Sequence, residues 1–315
     1  MTVSRPSRRE ESPISEPDLL PDSEPRSGSV VGGVVRTARP RQWIKNLLVF
    51  AAPIAGGVVL DPSHLLPTLW AFVAFCVSAS AVYFVNDALD VEADRAHPKK
   101  RNRPIAAGIV PVPLAYALAV VLFAGGLAIA LLASPKLLIA IACYDVVQLA
   151  YCVWLKHVSV IDIAVVSSGF LLRTIAGGVA SDIDLSQWFL LVAVFGSLLL
   201  VAGKRYAEIL ANPDAEGAVR GSLKAYSPSY LAFVWQAAAA ILVLGYTLWA
   251  FSLADGRSIW AALSVAPFVL AVLRYAQHID RGDAEAPEDI ALGDRMLQVL
   301  AILWLALLAV GLYLA

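Results

Sequence analysis

Residues 66–94 read LPTLWAFVAFCVSASAVYFVNDALDVEAD: a long apolar run that ends abruptly in Asn86, Asp87, Asp90 and Asp94. A helix of about 20 apolar residues crosses a bilayer core, so this stretch reads as a span that stops where the acids begin. Similar runs recur on either side, giving nine expected spans at 44–60, 66–86, 111–133, 136–155, 160–180, 186–203, 228–252, 258–277 and 296–314. The whole chain agrees: 315 residues, 59% hydrophobic, 16% charged, with a mean hydropathy of +0.71. Soluble domains average about 45–50% apolar and about 25% charged residues. The expected fold is therefore all-α, a polytopic membrane protein of nine transmembrane helices in one bundle. An ordinary soluble enzyme is excluded. A net charge of −1 and three cysteines also exclude a nucleic-acid binder and a disulfide scaffold, so no nucleic acid is expected as a partner.

The Ser-, Pro-, Glu- and Arg-rich residues 1–35 read as a disordered tail with too little apolar surface to fold. Residues 36–315 form the expected catalytic domain. No apolar segment follows the basic start, so no signal peptide is expected. Lys and Arg sort to one side. Arg95, Lys99, Lys100, Arg101, Arg103, Lys156, Lys204, Arg205, Arg220, Lys224 and Arg281 lie in loops on the expected inner face, against Lys136 and Arg257 on the other. By the positive-inside rule the N-terminus and the polar loops are cytoplasmic, in the inner (plasma) membrane.

Chemistry concentrates at that face. If the helix continues beyond residue 86, Asp87, Asp90 and Asp94 at i, i+3 and i+7 share one side, with Asn86 one turn before Asp90. Stacked carboxylates repel unless a cation neutralises them, and hard oxygen ligands with room for water suit Mg²⁺ bridging to a substrate phosphate. A solvated acidic helix end is the bland alternative. The segment Arg39-Pro40-Arg41-Gln42-Trp43-Ile44-Lys45-Asn46 opens the first run. Arg39 and Trp43 suit interfacial anchors equally well, whereas Lys45 and Asn46 lie where polar groups are costly and should face the interior. Lys204, Arg205 and Glu208 put two cations and a carboxylate within one turn. Tyr151 and Lys156 end the fourth run. Arg173 lies amid apolar residues, with Asp162 or a bound phosphate as its expected partner. The four histidines do not cluster, and no Cys/His metal spacing, Ser-His-Asp set or phosphate-binding glycine loop occurs. Acids, amides, Lys and Arg without an evident base favour chemistry on diphosphates, where cations stabilise the leaving group.

The pattern Asn86-Asp87-x-x-Asp90-x-x-x-Asp94 at the end of the second span resembles the first Asp-rich signature of the UbiA superfamily of intramembrane prenyltransferases. The likeness runs from about residue 36 to the end. It implies Mg²⁺ on a diphosphate, in a bundle open to lipid. The family's second Asp-x-x-x-Asp signature is missing; Gly203-Lys204-Arg205-Tyr206-Ala207-Glu208 stands in its place. That departure, with RPRQWIKN (39–46), QLAYCVWLKH (148–157), LLRTIAGGV (171–179) and PEDIALGDR (287–295), resembles the decaprenyl-phosphate phosphoribosyltransferase branch. The resemblance implies transfer of 5-phosphoribose from 5-phosphoribosyl 1-diphosphate (PRPP) to decaprenyl or another polyprenyl phosphate, for cell-wall arabinan. Metal would sit on Asp87, Asp90 and Asp94. Asn86, Lys204 and Arg205 would act with the two leading acids. Gln42, Lys45, Asn46, Arg101, Arg103, Tyr151, Lys156, Arg173 and Glu208 would hold the substrates. The alternatives are prenyl transfer to an aromatic or lipid acceptor, disfavoured by the missing signature, and a cation transporter, disfavoured by the lack of internal repeats. Ala- and Gly-rich spans pack within or between chains alike, which leaves a homo-oligomer open.

Overall fold

The computed structural model describes residues 28–211, 225–253 and 258–313. Most of the expected tail, and Arg220, Lys224 and Arg257, lie outside them. Helix α1 (Val30–Ala38) takes up the last residues of the segment expected to be a tail, capped by the Ser29 hydroxyl on the Gly32 N–H. Its register leaves Val30, Val31 and Val35 exposed and buries Gly33 and Thr37.

Among the described residues, eight helices are long and apolar enough to cross a membrane: α3 (Pro62–Leu89), α5 (Val112–Ala133), α6 (Pro135–Val153), α7 (Ile161–Ala180), α8 (Gln187–Ala211), α9 (Pro228–Ser252), α10 (Ile259–Asp280) and α12 (Arg295–Tyr313). The protein is a multi-pass membrane protein. Asp61, Ser134 and Ser227 each cap a helix whose first residue is proline, which loses no hydrogen bond there. Short helices fill the ends: α2 (Ala51–Ala55), α4 (Val91–Ala96) and α11 (Pro287–Gly293).

The first of the nine expected spans takes a different form. Residues Pro40–Phe50 wind as a 3-10 helix, and α2 adds only five residues before Gly56 and Gly57, the latter at φ 71°, turn the chain away. Two prolines, two glycines and the polar pair Lys45-Asn46 break what hydropathy alone reads as continuous. The 3-10 helix is held by close contact with α7. A Cβ on Gly177 would lie 1.8 Å from the Val49 carbonyl oxygen, so only glycine admits this approach.

Four apolar clusters form among the described residues, two of them large. Val49, Phe75, Leu137, Ile141 and Tyr144 join the 3-10 helix, α3 and α6, with α7 closing the same cluster through Ala176. Leu242, Tyr246, Trp249, Phe268 and Ile279 join α9 and α10, against α8 and α12. Small residues at the crossings, such as Ala71, Ala74 and Gly126, let helices approach where lipid supplies no hydrophobic drive. Large apolar side chains such as Leu132, Phe233 and Ile302 point outward, as a lipid-facing surface requires. An apolar cavity of about 580 Å³ is lined among others by Leu48, Ile54, Phe189, Phe268 and Trp304 and bordered by Pro287 and Ala291 of α11.

Candidate active site

Helix α3 does not carry its acids on one continuous face. It stops at Leu89; Asp90, at φ −91° and ψ 8°, is the hinge, and α4 starts afresh. The Asp94 N–H still bonds to the Asp90 carbonyl at 2.8 Å, but the carboxylates part company. Asp87 and Asp94 are buried together, while Asp90 turns aside.

Each acid already has a cation. One Arg39 nitrogen donates to both Asp87 oxygens, at 2.6 and 2.8 Å. Arg103 Nη1 lies 3.1 Å from Asp87 Oδ1 and 2.7 Å from Asp94 Oδ2, bridging the two. Lys156, from the turn after α6, reaches Asp90 at 2.6 Å. Asn86 stands beside Asp87, its amide 3.5 Å from Oδ1. Arg39, read from sequence as equally suited to anchoring the span, is thus part of the charged cluster. It is aimed by a left-handed backbone (φ 52°) and stacked over Tyr83 at 4.6 Å. Trp43 also turns inward, donating to Ser80 Oγ at 3.2 Å.

Helix α8 carries a second charged wall. Arg205 is buried, with Nη1 on Glu208 at 2.7 Å and Nε 3.6 Å from Asp162. Lys204 points to solvent, 4.0 Å from Glu208. Tyr151 lies half-buried near the end of α6. Lys45 is half-buried on the 3-10 helix, next to the buried Asn46. Gln42 is half-buried on the same 3-10 helix, and Arg101 is exposed at the tip of the loop after α4.

Arg173 is placed differently from expectation. Asp162 is not its partner. Its Nε donates to Asn46 Oδ1 (2.7 Å), Nη1 to the Gly169 carbonyl (2.6 Å) and Nη2 to the Tyr144 hydroxyl (3.1 Å), and its guanidinium lies among Phe75, Tyr144 and Phe170. Asp162 sits one helix end away, fully buried, with Tyr226 and Arg205. Arg173 and Asn46 therefore pin the 3-10 helix, which presents Lys45. Tyr226, just before α9, had no signal in sequence: an aromatic in a polar loop is ordinary. Burial, then the bond to Asp162, raises the Tyr226 phenol well above its usual value, so it stays a donor.

A third cluster ties α10, α11 and α12. Asp294 takes His278 Nε2 and Arg274 Nε, both at 2.7 Å, and the Leu297 N–H at 2.9 Å. These hold its carboxyl well below the usual carboxylate range, His278 contributing most.

Among the described residues no three His, Cys, Asp or Glu side chains converge as a ready metal cage. The Asp87–Asp94 pair does fit a divalent cation. A single guanidinium nitrogen already lies within 3.1 Å of both carboxylates, and a hard ion that keeps waters and takes substrate phosphates needs only one or two carboxylates.

Residues 47–300 match the UbiA prenyltransferase family. The chain is 54% identical over 282 residues to the decaprenyl-phosphate phosphoribosyltransferase of Mycobacterium tuberculosis, covering 88% of this chain and 93% of the relative. It is 49% identical over 308 residues to the enzyme of that name from Mycolicibacterium smegmatis, covering 93% and 97%. A UbiA homolog from Archaeoglobus fulgidus, solved with GPP and Mg²⁺ bound, superposes with a TM-score of 0.68 at 16% identity, over 89% of this chain and 98% of that one.

Proposed function

The chain belongs to the UbiA prenyltransferase family, and from that premise we propose that it is a decaprenyl-phosphate phosphoribosyltransferase using PRPP as donor. The observation that carries this reading is near-full-length identity of about half to relatives of that name. The charged cluster supports it. PRPP bears phosphate at both ends of a ribose, and the two walls offer cations at separate places: Arg39, Arg103 and Lys156 near α3, Lys204 and Arg205 on α8.

In this reading the charged end faces the cytoplasm of the plasma membrane, where PRPP is made available and where the Lys and Arg excess belongs. Asp87 and Asp94, with Asn86 beside Asp87, would hold Mg²⁺, whereas Asp90, expected from sequence as a further ligand, is turned to Lys156. The ion supplies charge neutralisation to the departing diphosphate. Arg103 and Arg39 exchange carboxylate partners for phosphate oxygens as the donor binds. Lys204 and Arg205 hold the far phosphate, with Arg101 at the rim and Glu208 keeping Arg205 oriented. Lys45 and Lys156 draw the lipid phosphate to C1, and Tyr151 borders the ribose. The C1–O bond to diphosphate breaks with its electron pair, and a lipid phosphate oxygen forms the new C1–O bond. That oxygen arrives ionised, so no base is required. The apolar cavity beneath Lys45 takes the first part of the polyprenyl chain.

The test is transfer of labelled ribose from PRPP into the lipid phase by purified protein with polyprenyl phosphate and Mg²⁺, lost with chelator and restored by Mg²⁺. Label that stays in water, with product instead from a prenyl diphosphate and an aromatic acid, overturns the reading.

A further inference from the structure

The apolar cavity has two unlike ends. Gly203, beside Lys204 on α8, packs on Ile279 near the end of α10, where a Cβ would come 2.6 Å from Ile279 Cδ1. The end of the cavity bordered by Pro287 and Ala291 of α11 therefore lies towards the charged residues. At the other end Gly245 of α9 packs on Leu191, near the start of α8. There Phe189, Tyr246, Trp249, Phe268 and Trp304 form an aromatic floor to the cavity. Tyr246 stacks on Phe268 with centroids 3.9 Å apart, Trp304 meets Phe268 at 5.2 Å, and Trp249 meets Phe189 at 6.0 Å. Hydrogen bonds pin the floor. Trp304 Nε1 donates to the Tyr246 hydroxyl at 2.6 Å, and that hydroxyl lies 2.7 Å from the Oγ of Ser264, which is fully buried. Moving either ring would leave buried polar groups unpaired, which is costly, so the floor does not yield to a chain pressing on it.

At the packing density of protein interiors an isoprene unit fills roughly 100 Å³, so a cavity of about 580 Å³ takes about six units. A decaprenyl chain is longer and has to turn aside. Leu48, Ile54 and Leu305 line the cavity and are also exposed on the outer surface, which gives the surplus a way into lipid. Lipid tails are as apolar as the cavity, so transfer alone gains little. What a chain gains is dispersion contact with the walls, forfeited wherever it stops short and leaves a void. We propose that the pinned aromatic floor is the length gauge of the acceptor site, with Trp304 as its specificity-determining residue: isoprene units down to the floor are selected, and units beyond it are not. This rests on the assignment of the cavity to the lipid made above.

The experiment presents polyprenyl monophosphates from farnesyl to decaprenyl at one mole fraction in identical proteoliposomes. It measures kcat/KM for each lipid with PRPP and Mg²⁺ saturating. The value should climb roughly tenfold as units are added, until about six are present, and stay level beyond. Trp304→Ala opens the floor and moves the start of the plateau about one unit later. Ala301 also lines the cavity, one turn nearer the charged end of α12. Ala301→Phe raises the floor and moves the plateau about one unit earlier. The PRPP KM stays parental in both variants. A parental curve that goes on rising to decaprenyl, or one already level at farnesyl, overturns the proposal. So does a plateau unmoved in folded Trp304→Ala. If Trp304→Ala is not recovered folded, Ala301→Phe decides by the same criterion. Ribose transfer to none of these lipids overturns the acceptor reading itself, whereas transfer with an immobile plateau overturns the gauge alone.

Discussion

Gly177→Ala tests the junction on which the site depends. The added methyl would lie 1.8 Å from the Val49 carbonyl oxygen and 2.8 Å from its carbon, whereas ordinary contact begins near 3.4 Å. The obstacle is backbone, which cannot rotate aside as a flexible side chain would. The 3-10 helix must therefore retreat by more than an ångström and strain the Arg173–Asn46 bond beside it. Overpacking costs about 1–3 kcal/mol and occasionally more, and a rigid backbone obstacle places this case near 3. At roughly 2–4 °C per kcal/mol for a chain of this size, the midpoint should fall by about 6–12 °C. Thermal unfolding of detergent-purified protein reads this directly. Gly125→Ala is the control, its methyl meeting only Val77 Cγ1 at 3.8 Å. Because the retreating helix carries Lys45, surviving Gly177→Ala protein should also lose kcat/KM. A melting point within about 2 °C of the parent, with parental kinetics, would refute the close-packed junction as a determinant of the site.

Three further outcomes are expected. Asp87→Asn should fold, because Arg39 and Arg103 retain 27% exposure and can turn to water, while ribosyl transfer falls by more than about 100-fold; parental turnover in folded protein would remove Asp87 from the site. Ala271→Phe fills part of the cavity and should raise the KM for polyprenyl phosphate but not for PRPP; equal effects on both would remove the lipid from that cavity. The lowered Asp294 carboxyl contributes stability that is present above its unfolded value of 3.8 and is lost as pH falls through the folded value. Asp294→Asn should therefore lower the melting point at pH 7 and narrow its gap to the parent progressively below about pH 4. A gap independent of pH would argue against the ion-paired knot.

Long apolar runs were legible because hydropathy over twenty residues reports on lipid and little else. The long helices begin and end close to where sequence places them except α8, which runs on to Ala211 past the expected end at 203 and so carries Lys204, Arg205 and Glu208 on a helix rather than in a loop. The segment 44–60 was not legible in the same way: its composition suits a span, but its geometry depends on Gly177, more than a hundred residues away. The charged residues at one end could be named from sequence, whereas their pairing could not. Arg39 and Arg103 face Asp87 because of a left-handed turn and a hinge at Asp90, both local backbone events that composition does not report. Arg173 illustrates the converse. A buried cation suggests a carboxylate, yet an amide, a carbonyl, a phenol and three aromatic faces satisfy it without one.

The hinge at Asp90 has a consequence for the order of events at the membrane. With Asp87, Asp90 and Asp94 each paired with Arg or Lys, little uncompensated negative charge is left for a free divalent ion. An ion arriving alone would have to evict a guanidinium and leave it stranded, whereas one arriving with a polyanion brings the guanidinium its new partner. Donor and metal should therefore load as one complex, with weak metal affinity beforehand. Raising free Mg²⁺ without PRPP would then leave the melting point almost unmoved, and adding the two together would shift it sharply.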